Sequence, residues 1–505
     1  MKKLTDLLLN LEIKCILGDV NKNITDIRIN SNEIKKNNLF IAIKGEKTDG
    51  HNYITQAINK GAIAVISEQI VTDFIGNNIP IIIVNNSRKA LATLSSAFYN
   101  FPANNFNITA VTGTNGKTTI THILKAIYEA NGLKTGLIGT NGIQIGNKKI
   151  DATHTTPDPL ELNKILNDMV NSDCQQLVME VSSHALDQHR VDGINFNSVV
   201  FSNLTQDHLD YHKDMDTYAR SKKLIFDSLN SESIAILNGD SDYSDFMVEN
   251  TKAKICNVGR KNNNDIIIID EVIGIDSSSF ALKLNNYEFS SNNNSEDKNK
   301  VYKIETNMIG SFNIENLALA CAVALSEGIN FSIIKDVIKS GLKIKGRMEK
   351  FKLPNGALSI IDYAHTPDAL KNALDSVREI LNNSNTKGKL LLVFGCGGDR
   401  DTSKREIMGK IAIDNADEVF ITNDNPRTED QDNIIKDILS GIEKNQMSRV
   451  KIITDRELAI QEALNRSKEN DIVLIAGKGH ENYQVIGQKK LDFNDAEIVQ
   501  HFNKY

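Results

Sequence analysis

A glycine-rich turn lies between an apolar, strand-sized segment and an amphipathic helical segment. Its residues are Gly113, Thr114, Asn115, Gly116, Lys117, Thr118 and Thr119. Small residues let backbone N–H groups point at an anion, and the helix start adds partial positive charge. Lys117 can reach the outer phosphates, and Thr118 offers a hydroxyl to Mg²⁺. Val111 stands where the general motif has its first glycine, so Gly113 carries the turn. The segment therefore predicts a shortened phosphate loop that binds a nucleoside triphosphate.

Two further residues with metal-binding side chains follow strand-sized segments. Glu180 ends QLVME, and His208 lies in NLTQDHLDYH, shortly after SVVF. Carboxylate and imidazole groups at strand ends beside a phosphate loop suit Mg²⁺. Ser183 and His184 are adjacent but lack a nucleophile elbow, and His208 with His212 lacks the glutamate of a zinc-protease helix. Solvated histidines are the alternative for each taken singly, and only the phosphate loop favours a metal site.

Alternating short strands and helices must position these side chains. In the first hundred residues, strands are expected at 39–43, 62–66 and 81–84, with a helix at 54–60. Phe101-Pro102 and the polar residues after it mark a linker. Strands at 108–111, 176–180 and 198–201, with helices between them, predict a mostly parallel, doubly wound sheet.

The second half of the chain shows two more changes of pattern. Residues 265–306 favour hairpins around a solvated loop at 290–300, a helix is expected at 313–326, and 341–346 form the next joint. Strands at 359–362, 389–394, 418–422 and 471–476 then alternate with helices. The sequence thus predicts an α/β protein with three domains: a small one over 1–102, a phosphate-loop ATPase-like domain over 103–342, and a Rossmann-like domain over 343–505.

Composition excludes several classes of protein. The 505 residues carry 58 basic and 65 acidic side chains, a formal charge of −7, which does not suit a disordered tail or a nucleic-acid binder. Five scattered cysteines without a C-x-x-C pair favour a reducing compartment. Asp6, Asn10 and Glu12 interrupt the apolar N-terminus, so no export signal or membrane span is expected, and we expect a cytoplasmic protein.

Many segments of the chain resemble those of the Mur ligases, the ATP-dependent enzymes that build the peptidoglycan stem peptide. The resemblance covers essentially the whole chain and is closest to the members that add the third residue. It rests on NNLFIAIKGEKTDGHNYI, GTNGKTT, HTTPD, EVSSHALDQHRV, NLTQDHLDYH, YARSKKLIF, GSFNIEN, GRME, DYAHTPDAL, GCGGDRD, DNPRTED and GKGHENYQ. GTNGKTT alone would also fit folylpolyglutamate synthases, whereas the last four segments are far more specific.

The resemblance implies roles for residues around the nucleotide. Lys117 and the loop would hold the ATP phosphates, and Asn316, Arg347 and Asp362 would contact adenosine and phosphate, with His365 nearby. Mg²⁺ would be held by Thr118, Glu180, His208 and Lys222. Lys222 matches the lysine that the family carbamylates. A carbamate would suit Mg²⁺, because a neutral amine that captures CO₂ becomes an anionic oxygen donor. The alternative is a solvated helix lysine, and the adjacent Lys223 leaves the choice between the two open.

The resemblance also implies the acceptor substrate, a UDP-muramoyl dipeptide. The residues expected around the uridine are Ile29, Ser31, Glu46, Lys47 and Thr48. Those expected along the muramoyl-peptide path are Thr155, Thr156, Ser182, Gln188 and Arg190. The family's usual Asp-Ser-Arg is Asn30-Ser31-Asn32 here, which changes the detailed contacts but not the expectation of a binding domain.

The implied reaction adds meso-diaminopimelate to the D-Glu γ-carboxylate of UDP-N-acetylmuramoyl-L-Ala-D-Glu through an acyl phosphate, in peptidoglycan precursor synthesis. The residues expected around the amino acid are Arg400, Asp424, Asn425, Pro426, Arg427, Gly477 and Glu481. The planar fork of Arg427 suits the distal carboxylate, which lysine lacks, in a bond worth about 1.5 to 3 kcal/mol. A turn-capping arginine is the alternative.

Three other functions remain open at this point. They are a ligase that adds lysine or another residue, a non-catalytic nucleotide-binding regulator that keeps the fold, and a folate-type ligase. The four residues Lys117, Glu180, His208 and Lys222 argue against the regulator, and the first hundred residues argue against the folate ligase. A monomer is the default expectation.

Overall fold

Strands rich in isoleucine, leucine and valine alternate with helices in the computed structural model. The structure describes residues 1–45, 48–70, 79–146, 148–152, 154–285, 300–383 and 387–503. The chain forms two units. One contains Met1–Ala110 and Leu133–Ser198, and the other contains Val111–Gly132 and Val199–Tyr505. Within the described ranges, no helix is both long and apolar enough to cross a membrane.

The N-terminal elements belong to the first unit. They are β1 (Lys2–Lys3), α1 (Leu4–Leu7), β2 (Ile13–Leu17), β3 (Asn23–Ile24), β4 (Asp26–Arg28), β5 (Asn38–Ile41), α2 (Ile54–Asn59), β6 (Ala62–Ser67), β7 (Ile81–Val84) and α3 (Ser87–Phe98). A five-stranded sheet has the order β2-β7-β6-β5-β4, parallel except for β2. The predicted strand 39–43 ends at Ile41, because the Ile43 carbonyl accepts the Gly50 N–H instead of extending the ladder.

The central elements continue in chain order. They are β8 (Asn107–Thr112), α4 (Lys117–Ala130), β9 (Thr135–Gly139), β10 (Gly142–Ile145), β11 (Lys148–Ile150), α5 (Pro159–Val170), β12 (Gln176–Glu180), α6 (Ser183–Asp187), β13 (Ser198–Phe201), α7 (Leu209–His212), α8 (Met215–Asp227), β14 (Ile234–Asn238), α9 (Ser244–Val248), β15 (Lys254–Gly259), β16 (Ile266–Ile273), β17 (Ser278–Leu284), β18 (Val301–Thr306), α10 (Ser311–Ser326) and α11 (Phe331–Ser340).

The central strands mix parallel and antiparallel pairing. In the first unit the order is β11-β10-β9-β12-β8, with β9 parallel to β12 and an antiparallel extension through β10 and β11. In the second unit the order is β13-β14-β15-β16-β17-β18, parallel from β14 to β16 and antiparallel beyond. The hairpin pattern predicted for 265–306 is confirmed. The predicted solvated loop lies, apart from Lys300, outside the described residues.

The C-terminal elements belong to the second unit. They are β19 (Glu349–Lys352), β20 (Leu358–Asp362), α12 (Pro367–Asn383), β21 (Leu390–Phe394), α13 (Ser403–Asn415), β22 (Glu418–Ile421), α14 (Gln431–Leu439), β23 (Val450–Ile452), α15 (Arg456–Arg466), β24 (Ile472–Ala476), β25 (Tyr483–Ile486), β26 (Lys489–Asp492) and α16 (Asp495–Phe502). The sheet order is β19-β20-β24-β21-β22-β23, parallel except for β19. The loops after β20, β21, β22 and β24 therefore lie at one edge, as the strand pattern predicts.

Candidate active site

The loop between β8 and α4 contains two glycines that no larger residue could replace without strain. Gly113 and Gly116 have φ angles of 145° and 87°. A Cβ at these positions would clash with the side chains of Ser202 and Asn316, respectively. Helix α4 begins at Lys117, immediately after the second glycine. The loop therefore brings its backbone close to neighbouring side chains and leads into a helix N-terminus, the arrangement that binds phosphate.

Two lysine amines meet at one carbonyl oxygen of this loop. Nζ of Lys117 and Nζ of Lys222 each lie 2.9 Å from the Gly113 oxygen, and Lys117 also donates to the Thr114 oxygen at 2.8 Å. Lys222 is 1% exposed. Burial and the charge of Lys117 lower the pKa of Lys222 well below 10.5, although Asp207 acts in the opposite direction. The fold thus favours a neutral Lys222 amine, the form that reacts with CO₂.

The neighbouring Lys223 has different surroundings. Its Nζ lies 2.6 Å from an Asp227 carboxylate oxygen, on the same helix. Nζ of Lys222 instead lies 4.6 Å from the Tyr218 ring centroid and reaches the phosphate loop. The structure thus distinguishes two adjacent lysines, and only Lys222 contacts the loop.

His208 lies beside a buried carboxylate. Asp207 is 6% exposed, and its Oδ2 is 3.3 Å from Nε2 of His208 and 3.8 Å from Nε2 of His365. Nζ of Lys404 is 3.9 Å from its Oδ1. Burial would raise the pKa of Asp207, but His208, His365 and Lys404 together outweigh that effect and hold it well below 3.8. His212 stacks on the Tyr218 ring, with centroids 5.1 Å apart.

The donor set suits Mg²⁺ only with help from other ligands. In the part of the chain that the structure describes, no three His, Cys, Asp or Glu side chains form a cluster able to hold a metal. Mg²⁺ keeps several waters and binds through few protein groups together with substrate phosphates. The Thr118 hydroxyl, the His208 imidazole and Lys222, if it were carbamylated, are donor types that fit that requirement.

A cavity adjoins the phosphate loop in the second unit. It is lined by Asn115, Gly116, Thr119, Phe312, Glu315, Asn316, Leu319, Arg347, Asp362, Tyr363, Ala364 and Asn372, among others. Nη2 of Arg347 donates to Oγ1 of Thr118 at 3.1 Å, and its guanidinium carbon lies 4.7 Å from the Tyr363 ring centroid. The cavity therefore brings together three residues predicted to contact ATP: Asn316, Arg347 and Asp362.

Glu180 is held in place at the end of β12, in the first unit. The residue is fully buried. Its Oε1 accepts the Thr140 N–H at 2.9 Å, and its Oε2 accepts the Thr140 hydroxyl at 3.0 Å. A Cβ at Gly139 would collide with the same carboxylate. Local packing therefore fixes the orientation of this predicted metal ligand.

The residues predicted along the muramoyl-peptide path form one hydrogen-bonded group. The Thr156 hydroxyl donates to the Glu180 carbonyl oxygen at 2.9 Å and accepts the Ser182 N–H at 3.1 Å. Nη1 of Arg190 donates to the Thr156 carbonyl oxygen, and Nη2 donates to Oε1 of Gln188, both at 2.8 Å. The Thr155 hydroxyl lies 3.0 Å from that of Thr140. The structure thus joins five residues that the sequence separates.

A cavity of about 540 Å³ in the first unit connects this group with the predicted uridine residues. It is lined by Ile29, Asn30, Ser31, Asn32, Thr48, Arg88, His154, Gln188 and Arg190, among others. Oδ1 of Asn32 accepts hydrogen bonds from Gln56 and Lys60, at 3.2 and 3.0 Å. Glu46 and Lys47 lie outside the described residues.

The loops at the edge of the C-terminal sheet bring Asp424, Asn425 and Glu481 together. Nδ2 of Asn425 donates to Oε2 of Glu481 at 2.8 Å. Gly477 has φ of 114°, and a Cβ there would lie 2.8 Å from Oδ2 of Asp424. Lys478, which the sequence argument did not select, is fully buried beside these carboxylates. Its position in the GKGHE segment was the only feature of the sequence that could have indicated a role for Lys478. The burial of a lysine depends on contacts distant in sequence, so the sequence alone does not reveal it.

Arg427 lies in the same group of loops. Its φ is 53°, and Nη1 donates to the Gly398 oxygen at 2.7 Å and to the Asn425 oxygen at 3.4 Å. Both bonds use Nη1, and Nε and Nη2 donate no hydrogen bond within the part of the chain that the structure describes, so a ligand could accept from them. Pro426 packs against the same loop, since a Cβ at Gly398 would clash with its carbonyl oxygen. Arg400 is exposed and donates to the Asp399 oxygen at 3.4 Å.

A buried arginine that the sequence argument missed joins the GCGGDRD and DNPRTED segments. Arg405 is fully buried. Its two terminal nitrogens lie 2.6 and 2.7 Å from the Glu429 carboxylate oxygens, Nη1 is 2.9 Å from Asp437, and Nη2 donates to the Gly397 oxygen at 3.2 Å. This bidentate pair fixes the loops that carry Arg400 and Arg427.

Family models match most of the chain. They are the Mur ligase family catalytic domain over residues 23–99, the Mur ligase middle domain over 111–324, and the Mur ligase glutamate ligase domain over 346–479. The chain is 40% identical to a UDP-N-acetylmuramoyl-L-alanyl-D-glutamate--2,6-diaminopimelate ligase of Aquifex aeolicus, covering 96% of this chain and 94% of the relative. It is 39% identical to one of Clostridium botulinum, covering 98% and 99%.

Solved structures show the same architecture. A structure titled as a UDP-N-acetylmuramoyl-L-alanyl-D-glutamate--2,6-diaminopimelate ligase has a TM-score of 0.68 and 30% identity, covering 100% of this chain and 99% of its own. MurF of Thermotoga maritima in complex with ADP shares the fold, with a TM-score of 0.61, 19% identity and 95% and 97% coverage. Fold and site define an ATP-dependent ligase with N-terminal, central and C-terminal domains. The chain belongs to the Mur ligase family.

Proposed function

We propose that this chain adds meso-diaminopimelate to the D-Glu γ-carboxylate of UDP-N-acetylmuramoyl-L-Ala-D-Glu, with cleavage of ATP to ADP and phosphate, in peptidoglycan precursor synthesis. The observation that carries the choice of amino acid is the Arg427 guanidinium, whose Nη1 donates to the carbonyl oxygens of Gly398 and Asn425, in the group of loops that also carries Asp424 and Glu481. Diaminopimelate ends in a carboxylate and an ammonium, and lysine ends in an ammonium alone. A guanidinium near carboxylates suits the first ending.

The second unit would bind ATP. The loop from Gly113 to Thr119 takes the phosphates, with the amine of Lys117 leaving its carbonyl partners for phosphate oxygens. Asn316, Arg347 and Asp362 would contact the nucleoside and phosphates, since they line the adjoining cavity. Neutralising the phosphates is the main requirement of phosphoryl transfer to a carboxylate, because two anions must approach each other.

Mg²⁺ would supply further charge neutralisation at the transferring phosphoryl group when bound. Thr118, His208 and carbamylated Lys222 are its proposed protein ligands in the second unit. Glu180, in the first unit, is a further proposed ligand. The neutral state that burial favours for the Lys222 amine supports the carbamate, because an ammonium cannot attack CO₂.

The proposed chemistry has two steps. The D-Glu γ-carboxylate attacks the γ-phosphorus of ATP, which breaks the bond to ADP and gives an acyl phosphate. The amine of diaminopimelate then attacks the acyl carbon, loses a proton and expels phosphate, forming the amide. Water competes with the amine at the acyl phosphate, so binding the amino donor close by is part of the function.

The first unit would bind the UDP-muramoyl dipeptide. Its cavity of about 540 Å³ is large enough for part of such a ligand and carries Arg88 and Arg190. Ile29, Ser31 and Thr48 would contact the uridine end, together with Glu46 and Lys47. Thr155, Thr156, Ser182, Gln188 and Arg190 would line the peptide path, where a guanidinium suits a carboxylate or phosphate.

The proposed domains are 1–102 for the UDP-muramoyl group, 103–342 for ATP and 343–505 for the amino acid. Each family-model match falls inside one of these ranges. Arg400, Asp424, Asn425, Pro426, Arg427, Gly477 and Glu481 would bind the amino acid in the third domain. We also propose a monomer acting in the cytoplasm, where ATP and nucleotide sugars are available.

The test is ADP release with UDP-N-acetylmuramoyl-L-Ala-D-Glu and either meso-diaminopimelate or L-lysine. We expect ADP and the tripeptide product with diaminopimelate, and at least about tenfold lower kcat/KM with lysine, because lysine leaves the Arg427 guanidinium unpaired. Equal use of lysine would contradict the proposed amino acid. No ADP or product with either donor would contradict the proposed ligase.

A further inference from the structure

A fully buried lysine lies among the residues proposed to bind the amino acid. Nζ of Lys478 is 2.9 Å from Oε2 of Glu481 and 3.7 Å from Oδ1 of Asp424. It also donates to Oδ1 of Asn425 at 3.2 Å. The side chain is 0% exposed, so solvent does not screen its charge from these partners. One cation therefore lies beside both carboxylates of the proposed amino-acid site, Asp424 and Glu481, which could receive the distal ammonium of the donor.

The same lysine is connected to Arg427 through Asn425. Oδ1 of Asn425 accepts the Val485 N–H at 2.9 Å as well as the Lys478 amine. The Val485 carbonyl oxygen accepts the Arg427 N–H at 3.0 Å. Lys478 thus holds the Asn425 side chain, on which the DNPR and GKGHE segments meet. These segments carry Arg427 and Glu481, so Lys478 influences both ends of the proposed amino-acid site.

The charge of Lys478 bears on which ligand ending suits the proposed amino-acid site. Without it, Asp424 and Glu481 would lose the amine that lies beside both of them, although buried Arg456 would still act on both, and the added negative charge favours an ending with only an ammonium over one with a carboxylate. With it, the negative charge is partly offset, and Arg427 adds a further cation nearby. Ionised groups at short range in a buried site interact strongly. The net charge of these buried groups therefore affects ligand binding more than the charges of exposed side chains do.

We propose that Lys478 is a positioning residue that determines amino-donor specificity, because it offsets the charge of Asp424 and Glu481 and admits a donor with a distal carboxylate. This inference rests on the proposed function. Lys478 acts through its neighbours and need not contact the donor.

The test compares Lys478→Met, which removes the charge, with Lys478→Arg, which keeps it. We expect the ratio of kcat/KM for meso-diaminopimelate to that for L-lysine to fall at least about tenfold in Lys478→Met. Lys478→Arg should stay within about threefold of the unmodified protein. KM for ATP and for the UDP-muramoyl dipeptide should stay unchanged in both, because those sites involve other residues.

Lys489→Met is the matched control, since Lys489 is exposed in the same domain, and its ratio should not change. If Lys478→Met does not fold, Lys478→Gln provides the same comparison while keeping an N–H donor. A loss of rate that is equal for both donors would overturn the inference and indicate a purely structural lysine. Failure of the unmodified protein to prefer diaminopimelate would instead overturn the proposed function.

Discussion

The environment of a single amine determines what Lys222 can do. The residue shares the Gly113 oxygen with Lys117 and is almost completely buried, and both features disfavour its charged form. A lysine in solvent would be protonated at neutral pH and inert toward CO₂. The chemistry proposed for Lys222 therefore depends on its position against the phosphate loop.

Replacing Lys222 with alanine should lower kcat by about tenfold to 100-fold or more, because the proposed carbamate ligand is lost. A short carboxylate such as acetate should restore part of the rate by occupying the space left by the side chain. Lys223→Ala is the control, since Lys223 pairs with Asp227 and should retain most of the activity. The measurement is ADP release with and without acetate. Full activity of Lys222→Ala without acetate would exclude the carbamate.

Sequence motifs located most of these functional side chains but not their buried partners. GTNGKTT, DNPR and GKGHE carry local patterns that place Lys117, Arg427 and Glu481 in the segments that follow strands. Arg405 lies outside these segments, and GKGHE contains Lys478 without indicating that it is buried, because both side chains pair with carboxylates contributed by other loops. The structure also showed that Lys222, and not the adjacent Lys223, reaches the phosphate loop. The rotation of helix α8 about its axis decides this, and the sequence spacing does not specify that rotation.

Short loops at strand ends are the elements on which the site is built. The phosphate loop requires Gly116 in a left-handed conformation, close to Asn316. The loops after β21 and β22 are held by the buried Arg405. Local hydrogen bonds and close backbone packing therefore set the position of each loop, and each can be perturbed separately.

Gly116→Ala should weaken ATP binding by about 100-fold, because the added Cβ clashes with Asn316 and displaces the loop. Gly132→Ala is a matched control: Gly132 also has a positive φ, 80°, but a Cβ there meets nothing within 4 Å. Both variants should lose about 1 to 2 kcal/mol of stability from left-handed strain. Nucleotide titration and thermal unfolding measure the two effects. Equal ATP affinity in both variants would show that loop packing is not required.

Arg405→Met should lower the free energy of unfolding by about 1 to 3 kcal/mol at neutral pH, since it breaks a buried bidentate pair. Hydrogen bonds from Arg405 hold the pKa of Glu429 below its ordinary 4.5. The ionised carboxylate therefore contributes stability above pH 4.5, and that contribution is lost as the pH falls through the lowered pKa. The difference between the variant and the unmodified protein should shrink in acid.

Arg449→Met is the control for this pH dependence. Arg449 donates to the carbonyl oxygens of Ala416 and Ile413, which do not titrate. Denaturant unfolding of both variants should show a pH-dependent difference for Arg405→Met only. A constant difference for Arg405→Met across the acidic range would contradict the assigned pair.

At the scale of the whole chain, the two units carry different substrate sites. The residues proposed for the UDP-muramoyl dipeptide lie in the first unit, and those proposed for ATP and the amino donor lie in the second. Alternating apolar strands and helices predicted the α/β class and, to within a residue or two, the ten strands to which the sequence analysis gave bounds. The antiparallel extension through β10 and β11 and the hairpin of β25 and β26 were not predicted, because β10 and β25 are only four residues long and their partners β11 and β26 are short and rich in lysine.

The central claim is that Arg427 binds the far carboxylate of the amino donor. A crystal structure of the protein with ADP and the UDP-muramoyl tripeptide product tests it most directly. We expect that carboxylate at about 3 Å from the Arg427 guanidinium nitrogens, with the distal ammonium facing Asp424 or Glu481. A guanidinium directed into solvent, with the carboxylate bound elsewhere, would contradict the account.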